Sequence, residues 1–143
     1  MRGVYIHIPF CRNICSYCDF CKMYYNKELS NIYLDYLEKE IDMYYEGDTV
    51  KTIYVGGGTP SSLDTDNLNK LFRIINKFKI SSDAEFTFEC NIDDINDELL
   101  TILKENHVSR ISIGVESFNK DKLKYLNRNH NKKEIFNNIS LVK

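Results

Sequence analysis

Apolar and polar residues alternate along three short stretches of the chain, and a fourth stretch, "TIYV", is a compact apolar run. Both patterns predict strands. In the first stretch, Val4, Ile6 and Ile8 alternate with Tyr5 and His7, so the two sets face opposite sides. The predicted strands cover residues 4–8, 52–55, 85–90 and 110–117.

Between these stretches, apolar residues recur every three or four positions, which is the period of an amphipathic helix. The predicted helices, in chain order, are 27–46 closed by Gly47, one capped by Asp64 or Thr65, one capped by Asn96, a short one after Asn119, and a last one through Ile135 and Ile139. Strands that alternate with helices imply an α/β fold with a parallel sheet.

The polar motifs of the chain follow the predicted strands. A cysteine-rich loop follows the first strand, three glycines (56–58) follow the second, Glu89 closes the third and Glu116 closes the fourth. In parallel βα folds, functional residues gather at the C-terminal ends of strands. We therefore expect all four motifs at one rim of the sheet.

Composition decides which cysteine chemistry is available. Of the 143 residues, 43% are hydrophobic and 28% are charged, which is ordinary for a globular chain. No apolar run approaches the roughly 20 residues of a membrane span, and the first ten residues lack the apolar core of a signal peptide. We expect a cytoplasmic protein, where thiols stay reduced. The net charge of -2, without a basic stripe, predicts no nucleic-acid partner.

The stretch "FCRNICSYCDFC" holds four of the five cysteines. Cys11, Cys15 and Cys18 have the spacing C-x3-C-x2-C, and three thiolates on one loop suit a 4Fe-4S cluster with one iron left free. Two alternatives stay open: Cys21 could complete a four-cysteine zinc site, or it could ligate the fourth iron of an electron-transfer centre. Cys90 lies among phenylalanines and is predicted to be a buried small hydrophobe.

This spacing, together with "YIHIPFC", "GGGTPS" and "RISIGVESF" at strand ends, resembles the radical S-adenosylmethionine (radical SAM) superfamily. The resemblance implies the N-terminal portion of a partial TIM-type barrel. It implies a 4Fe-4S cluster on Cys11, Cys15 and Cys18, whose open iron is chelated by S-adenosylmethionine. The reduced cluster of such proteins passes an electron to the sulfonium and generates a 5'-deoxyadenosyl radical. An electron donor such as flavodoxin or ferredoxin is implied as well.

The glycine stretch and two carboxylates complete the predicted site. Glycines after a strand let backbone N–H groups approach a ligand closely, since no Cβ blocks them. Glu89 and Glu116 lie on the polar faces of their strands and need partners there. The partner is either a bound cofactor or an arginine, Arg110 or Arg128.

A more detailed resemblance is to the branch that contains oxygen-independent coproporphyrinogen III oxidase and the related haem chaperones. The resemblance implies cofactor contacts at Tyr5, Tyr17, Gly57, Gly58, Thr59, Glu89, Glu116 and Arg128. One departure is that this chain reads "GVESF" where the branch usually reads "GVQSF". Glu116 therefore adds a charge beside a cationic ligand.

Two features favour the chaperone side of the branch. Phe20 stands where the oxidase usually has a further cysteine, and the chain begins almost at its first strand. The chaperone side implies haem as a ligand and leaves the enzyme activity undecided. His7 is either a haem ligand or a satisfied core histidine. We expect residues 1–143 to be one radical SAM core domain, incomplete at the C-terminus, whose unpaired last strand promotes self-association.

Overall fold

The structure of the chain is a computed structural model that describes residues 2–142, and its elements alternate between strand and helix as predicted. In chain order they are β1 (Arg2–Ile8), β2 (Phe10–Cys11), β3 (Met23–Tyr24), α1 (Lys27–Tyr44), β4 (Val50–Gly57), α2 (Thr65–Ile75), β5 (Ile80–Asn91), α3 (Asp97–Glu105), β6 (Arg110–Gly114), α4 (Lys120–Tyr125) and α5 (Lys132–Val142). Short 3-10 turns follow β4 and β5, at Pro60–Ser62 and Ile92–Asp94.

The main sheet has four strands in the order β1-β4-β5-β6, and every pairing is parallel. One row of paired residues crosses the sheet through Tyr5, Tyr54, Thr87 and Arg110. The C-terminal ends of all four strands therefore lie at one edge. The predicted α/β class with a parallel sheet is confirmed.

One face of the sheet is covered by α1, α2 and α3. Alternate strand residues point into this core, and the apolar stripes of the helices meet them. The core contains Ile6, Ile8, Ile53, Val55, Phe86 and Phe88 from the strands and Leu34, Leu37, Leu71, Phe72, Leu99 and Leu103 from the helices. A second, smaller cluster joins α4 and α5 through Ile92, Leu123 and Ile135. Within residues 2–142, no helix combines the length and apolar character needed to cross a bilayer.

Helix starts agree with the predicted caps. The Asp64 side chain accepts from the backbone N–H of Asn67, and the Asn96 side chain accepts from that of Leu99. These contacts satisfy backbone donors that the first helical turn leaves unpaired.

The first helix ends two residues earlier than predicted. α1 ends at Tyr44, before Gly47, because Tyr45 leaves the helix in an extended conformation. The Tyr45 ring packs against Phe78 with 4.8 Å between ring centroids, and its hydroxyl donates to the Asp48 carbonyl. Tertiary packing thus overrides the local helix-stop signal of glycine.

Two strand boundaries also differ from prediction. β5 begins at Ile80, five residues earlier than expected, in a segment without regular alternation. β6 ends at Gly114, so Glu116 lies beyond the strand with a left-handed φ of 62°. The two-residue pairing of β2 with β3 was not predicted, because so short a bridge leaves no periodic pattern.

Candidate functional site

The C-terminal ends of the strands enclose an open cavity of about 250 Å³. Ten of the eleven predicted site residues line it: Cys11, Cys15, Tyr17, Cys18, Gly57, Gly58, Thr59, Glu89, Glu116 and Arg128. Tyr5 is the exception. The single rim that the strand-end positions predict is therefore present.

The cysteine loop is tied to the sheet at both ends. At one end, Cys11 belongs to β2 and is buried. At the other, the backbone N–H of Met23 donates to the Pro9 carbonyl at 2.7 Å, and that of Tyr25 donates to the Cys11 carbonyl at 2.9 Å. The intervening residues, 12–22, form an arch over the cavity that carries Cys15 and Cys18, both half-buried.

The Cys11 thiol lies in a mixed environment. Burial raises its pKa, while a contact of 3.4 Å between its Sγ and the Thr59 hydroxyl and the nearby Lys22 ammonium favour the thiolate. Since metal ligation requires the thiolate, binding at Cys11 must release a proton.

His7 engages the far end of the cysteine loop. Its Nε2 donates to the Cys21 carbonyl at 3.0 Å, and its Nδ1 lies 3.2 Å from the Tyr5 hydroxyl. Both ring nitrogens therefore have partners within the chain, which fits the interpretation of a satisfied histidine. The Cys21 side chain is exposed and is not among the residues that line the cavity.

The glycine stretch packs directly against the cysteine loop. The Gly58 and Thr59 N–H groups donate to the carbonyls of Ile8 and Phe10 at 2.9 and 2.8 Å. A Cβ built on Gly58 would lie 2.9 Å from the Cys11 Sγ. A side chain here would push Cys11 away, so the sequence requires glycine for packing as well as for ligand approach.

Gly57 is constrained in two ways. Its φ of +119° is one that side-chain-bearing residues rarely adopt, and a Cβ there would lie 2.6 Å from the Nδ1 of His7. Its N–H points to Glu89, whose Oε2 accepts it at 3.2 Å. The glycine stretch thus holds one carboxylate of the predicted site.

Glu89 has a second partner that sequence reasoning missed. The Tyr54 hydroxyl donates to its Oε1 at 2.5 Å, and this hydrogen bond raises the pKa of Tyr54. A signal was available, since Tyr54 and Glu89 alternate onto the same face of neighbouring strands.

Arg128 joins the opposite wall of the cavity to the cysteine loop. Its guanidinium donates to Asn91 Oδ1 at 2.8 Å, to Glu116 Oε1 at 3.0 Å and to the Tyr17 hydroxyl at 3.0 Å. Burial alone would lower the pKa of Arg128, but its hydrogen bond with Tyr17 and the negative charges of Cys15 and Glu116 raise it. Desolvation raises the pKa of Tyr17 to about 12, so its hydroxyl stays protonated.

The sequence left open whether Glu89 and Glu116 pair with an arginine, and only Glu116 does so. Glu116 pairs with Arg128, whereas Arg110 pairs with Glu85 at 3.0 Å. Asn91 was also missed, although it is the last residue of β5 and alternates with Glu89.

Tyr5 is not among the residues that line the cavity. It lies on β1 beside Tyr54, with 6.0 Å between ring centroids, and is 59% exposed. Burial together with the charge of Glu89 raises its pKa. Tyr5 is therefore near one lining residue, Glu89, without lining the cavity itself.

The side chains present fit the cluster that the cysteine spacing predicts. Cys11, Cys15 and Cys18 line one wall together. Among the described side chains, no three His, Cys, Asp or Glu groups converge on a point where one metal ion could sit. A 4Fe-4S cluster places each thiolate on a different iron, and three thiols that line one cavity supply that set of donors.

The fit to S-adenosylmethionine rests on the other residues that line the cavity. Glu89 and Glu116 provide carboxylate oxygens for an ammonium or hydroxyl groups. Gly57 and Gly58 also line the cavity, but their N–H groups already donate to Glu89 and to the Ile8 carbonyl. The Nε of Arg128 is buried without a described hydrogen-bond partner, which leaves one donor to be satisfied.

Comparisons with known proteins find relatives that match nearly the whole chain. The heme chaperone HemW of Bacillus subtilis (strain 168) is 45% identical over 141 residues, which are 95% of this chain and 37% of the relative. The oxygen-independent coproporphyrinogen III oxidase of Escherichia coli (strain K12) is 32% identical over 139 residues, which are 94% of this chain and 30% of the relative.

A solved structure shows the same fold. Coproporphyrinogen III oxidase (HemN) from Escherichia coli superposes with a TM-score of 0.89 at 31% identity, over 96% of this chain and 33% of that chain. The present chain thus spans about 37% of the length of its HemW relative from Bacillus subtilis. Residues 5–143 match the family model described as the Radical SAM superfamily, and the chain belongs to that superfamily.

Proposed function

We propose that this chain holds a 4Fe-4S cluster on Cys11, Cys15 and Cys18 and binds S-adenosylmethionine beside it. The observation that carries the proposal is that these three thiols line the same cavity as the glycine stretch and two carboxylates. When bound and reduced, such a cluster supplies the electron for reductive cleavage of S-adenosylmethionine.

Each group of residues has a separate task in this proposal. The thiols of Cys11, Cys15 and Cys18 lose their protons and ligate iron. Glu89, held by Tyr54 and the Gly57 N–H, presents its carboxylate at a defined place beside the glycine stretch. Because both Glu89 oxygens already accept hydrogen bonds, the carboxylate cannot rotate freely, and a ligand ammonium or hydroxyl meets it without reordering.

Glu116 differs from Glu89 in its charge balance. Its carboxylate lies 3.0 Å from the Arg128 guanidinium, which offsets its charge. The departure from the usual glutamine is thus compensated within the chain. We expect Glu116 to accept a hydrogen bond from the ligand rather than to act as an unpaired anion.

For the ligand beyond S-adenosylmethionine, we propose haem and a haem-handling role. The support is the 45% identity to a relative named a heme chaperone, against 32% to a relative named coproporphyrinogen III oxidase. Phe20, which stands where the oxidase usually has a further cysteine, supports the same side. A low-potential donor such as flavodoxin or ferredoxin would reduce the cluster.

The cluster is tested by anaerobic reconstitution of the chain and five cysteine variants. Cys11→Ala, Cys15→Ala and Cys18→Ala should each lose the broad thiolate-to-iron absorbance and the iron content of about four per chain. The matched controls Cys21→Ala and Cys90→Ala should retain both. Loss of the cluster in Cys21→Ala would instead support ligation by four cysteines.

The haem role is tested with two ligands. Incubated with haem, the reconstituted chain should retain it through a sizing column. A full-length version incubated anaerobically with reductant, S-adenosylmethionine and coproporphyrinogen III should leave the propionates intact. Conversion to protoporphyrinogen would support the oxidase function, and failure to retain haem would contradict the haem role of this chain.

A further inference from the structure

The arch that carries Cys15 and Cys18 has little structure of its own. Between β2 and β3, residues 12–22 contain no helix or strand. The hydrogen bonds described within it are a backbone contact of 3.4 Å from Cys18 to Cys15 and contacts of the Lys22 ammonium with nearby carbonyls. A loop with so few internal hydrogen bonds would sample many conformations. The conformational entropy lost when it becomes ordered would oppose cluster binding.

Near its ends, the arch is held by His7 at the Cys21 carbonyl and by Arg12, whose Nε donates to the Ser62 carbonyl at 3.1 Å. The turn that follows α4 supplies the contacts at its centre. The Asn127 amide donates from Nδ2 to the Ile14 carbonyl at 2.9 Å, and the Ser16 hydroxyl donates to the Tyr125 carbonyl at 3.1 Å. These contacts bridge more than 100 residues of sequence and fall on either side of Cys15. They hold the arch at its centre, where it is farthest from its anchors in β2 and β3.

The turn is itself well supported. Asn127 has a left-handed φ of 57°, and the N–H of Arg128 donates to the Leu123 carbonyl at 2.8 Å, closing the helix end. Leu123 is buried in the small cluster with Ile92 and Ile135. The support therefore rests on packed side chains rather than on another mobile loop.

We propose that Ser16 and Asn127 are positioning residues that brace the cysteine arch and hold Cys15 and Cys18 toward the cavity. Arg128, next in sequence to Asn127, contacts Glu116 and Tyr17. The same turn thus sets both the arch and one carboxylate of the opposite wall. That these two residues position cluster ligands rests on the proposed cluster. That they order residues 12–22 does not.

The brace is tested first in the chain without iron, by hydrogen exchange. Asn127→Gly keeps the left-handed backbone and removes the amide, so the amides of residues 12–20 should exchange roughly 2- to 10-fold faster. Amides of β4 and β5 should be unchanged. The control Asn129→Gly changes an exposed asparagine two residues away and should have no effect on the arch.

A second pair of variants tests the hydroxyl. Ser16→Ala should accelerate exchange in the arch in the same way, and Ser16→Thr should restore the parent rate because it retains the donor. A general loss of stability would accelerate exchange in β4 and β5 as well and would not be rescued by threonine. Equal arch exchange in the parent, Asn127→Gly and Ser16→Ala would overturn the proposal.

The reconstituted chain gives the functional readout. Release of iron to a chelator should be several-fold faster from Asn127→Gly and Ser16→Ala than from the parent and Ser16→Thr. If the parent takes up no iron, the proposed cluster fails while the exchange result still decides the brace. If iron is bound and released equally fast from all four proteins, the proposal that Ser16 and Asn127 position the cluster ligands is wrong and the cluster stands.

Discussion

The two faces of the central sheet carry alternate residues of the same strands and have opposite characters. On the covered face, Phe88 is fully buried and stacks on Phe72 with 5.7 Å between centroids. On the open face, the next residue, Glu89, is half-buried and bonded to Tyr54 and Gly57. One face therefore stabilises the fold through apolar burial, and the other arranges polar groups around a cavity.

Adjacent residues of one strand therefore have different roles: one stabilises the fold and the next lines the cavity. Substitutions on the covered face should act mainly on the free energy of unfolding. Substitutions on the open face should act mainly on ligand binding. Neighbouring residues therefore make matched tests.

The largest effect is expected from Phe88→Ala. Removing a fully buried aromatic ring should lower the free energy of unfolding by about 3–5 kcal/mol. Glu89→Gln, one residue away, should change it by about 1 kcal/mol or less, since only hydrogen bonds are altered. Urea unfolding followed by circular dichroism measures both. Equal losses in the two variants would show that the faces are not distinct in this way.

Gly57→Ala is expected to have the next largest effect, with Gly47→Ala as its control. Both glycines have positive φ, but only at Gly57 would the added Cβ meet another side chain, His7. Gly47→Ala should cost about 1 kcal/mol of stability from backbone strain alone. Gly57→Ala should cost more and should abolish S-adenosylmethionine binding, measured by anaerobic calorimetry. Undiminished binding in Gly57→Ala would remove the glycine stretch from the site.

Tyr54→Phe should have a moderate effect confined to binding. It removes the hydroxyl that holds Glu89, so S-adenosylmethionine affinity should fall roughly 5- to 10-fold, a cost of about 1 kcal/mol. Tyr44→Phe, on an exposed ring of α1, should bind like the parent. If Tyr54→Phe binds as tightly as this control, Glu89 needs no second partner.

The smallest effect is expected at Asp94, a buried carboxyl whose Oδ2 accepts from Ser61 at 2.7 Å. Burial raises the pKa of Asp94. Its contribution to stability is therefore present below the ordinary carboxyl pKa and is lost as pH rises through the raised value. Asp94→Asn should accordingly gain stability relative to the parent as pH rises above the ordinary carboxyl pKa of about 4.

The contribution of Asp83 to stability should depend on pH in the opposite direction. Its hydrogen bond with Ser81 lowers the pKa of this exposed carboxyl, so its contribution is present at neutral pH and lost on acidification. Asp83→Asn should therefore lose a little stability relative to the parent at neutral pH and match it in acid. Urea midpoints across the pH range test both variants, and parallel profiles would contradict the assignment.

Much of the sheet could be predicted because its strands are periodic. The alternation of Val4, Ile6 and Ile8 predicts a buried face. The positions of the glycines and Glu89 at strand ends predict that they lie at one rim. The end of α1 could not be predicted, since it depends on the contact of Tyr45 with Phe78. Local patterns carry no information on such distant packing.

The site shows the same division. The cysteine spacing identified the residues of the arch, but the contacts that hold it come from residues 125–128, which no local pattern connects to it. Tyr5 was assigned to the site by resemblance alone, and the structure places it outside the cavity. The sequence places Tyr54 and Glu89 on one face of neighbouring strands, but their contact depends on the register of β4 and β5.

The most direct test of the central claim is the electron paramagnetic resonance spectrum of the reduced, reconstituted chain with and without S-adenosylmethionine. If Cys11, Cys15 and Cys18 leave one iron open, the spectrum should change on addition of S-adenosylmethionine, and it should change in the same way in Cys21→Ala. A parent that holds about four irons per chain and shows the same spectrum in both conditions would contradict the account, because its fourth iron would not be available to the ligand.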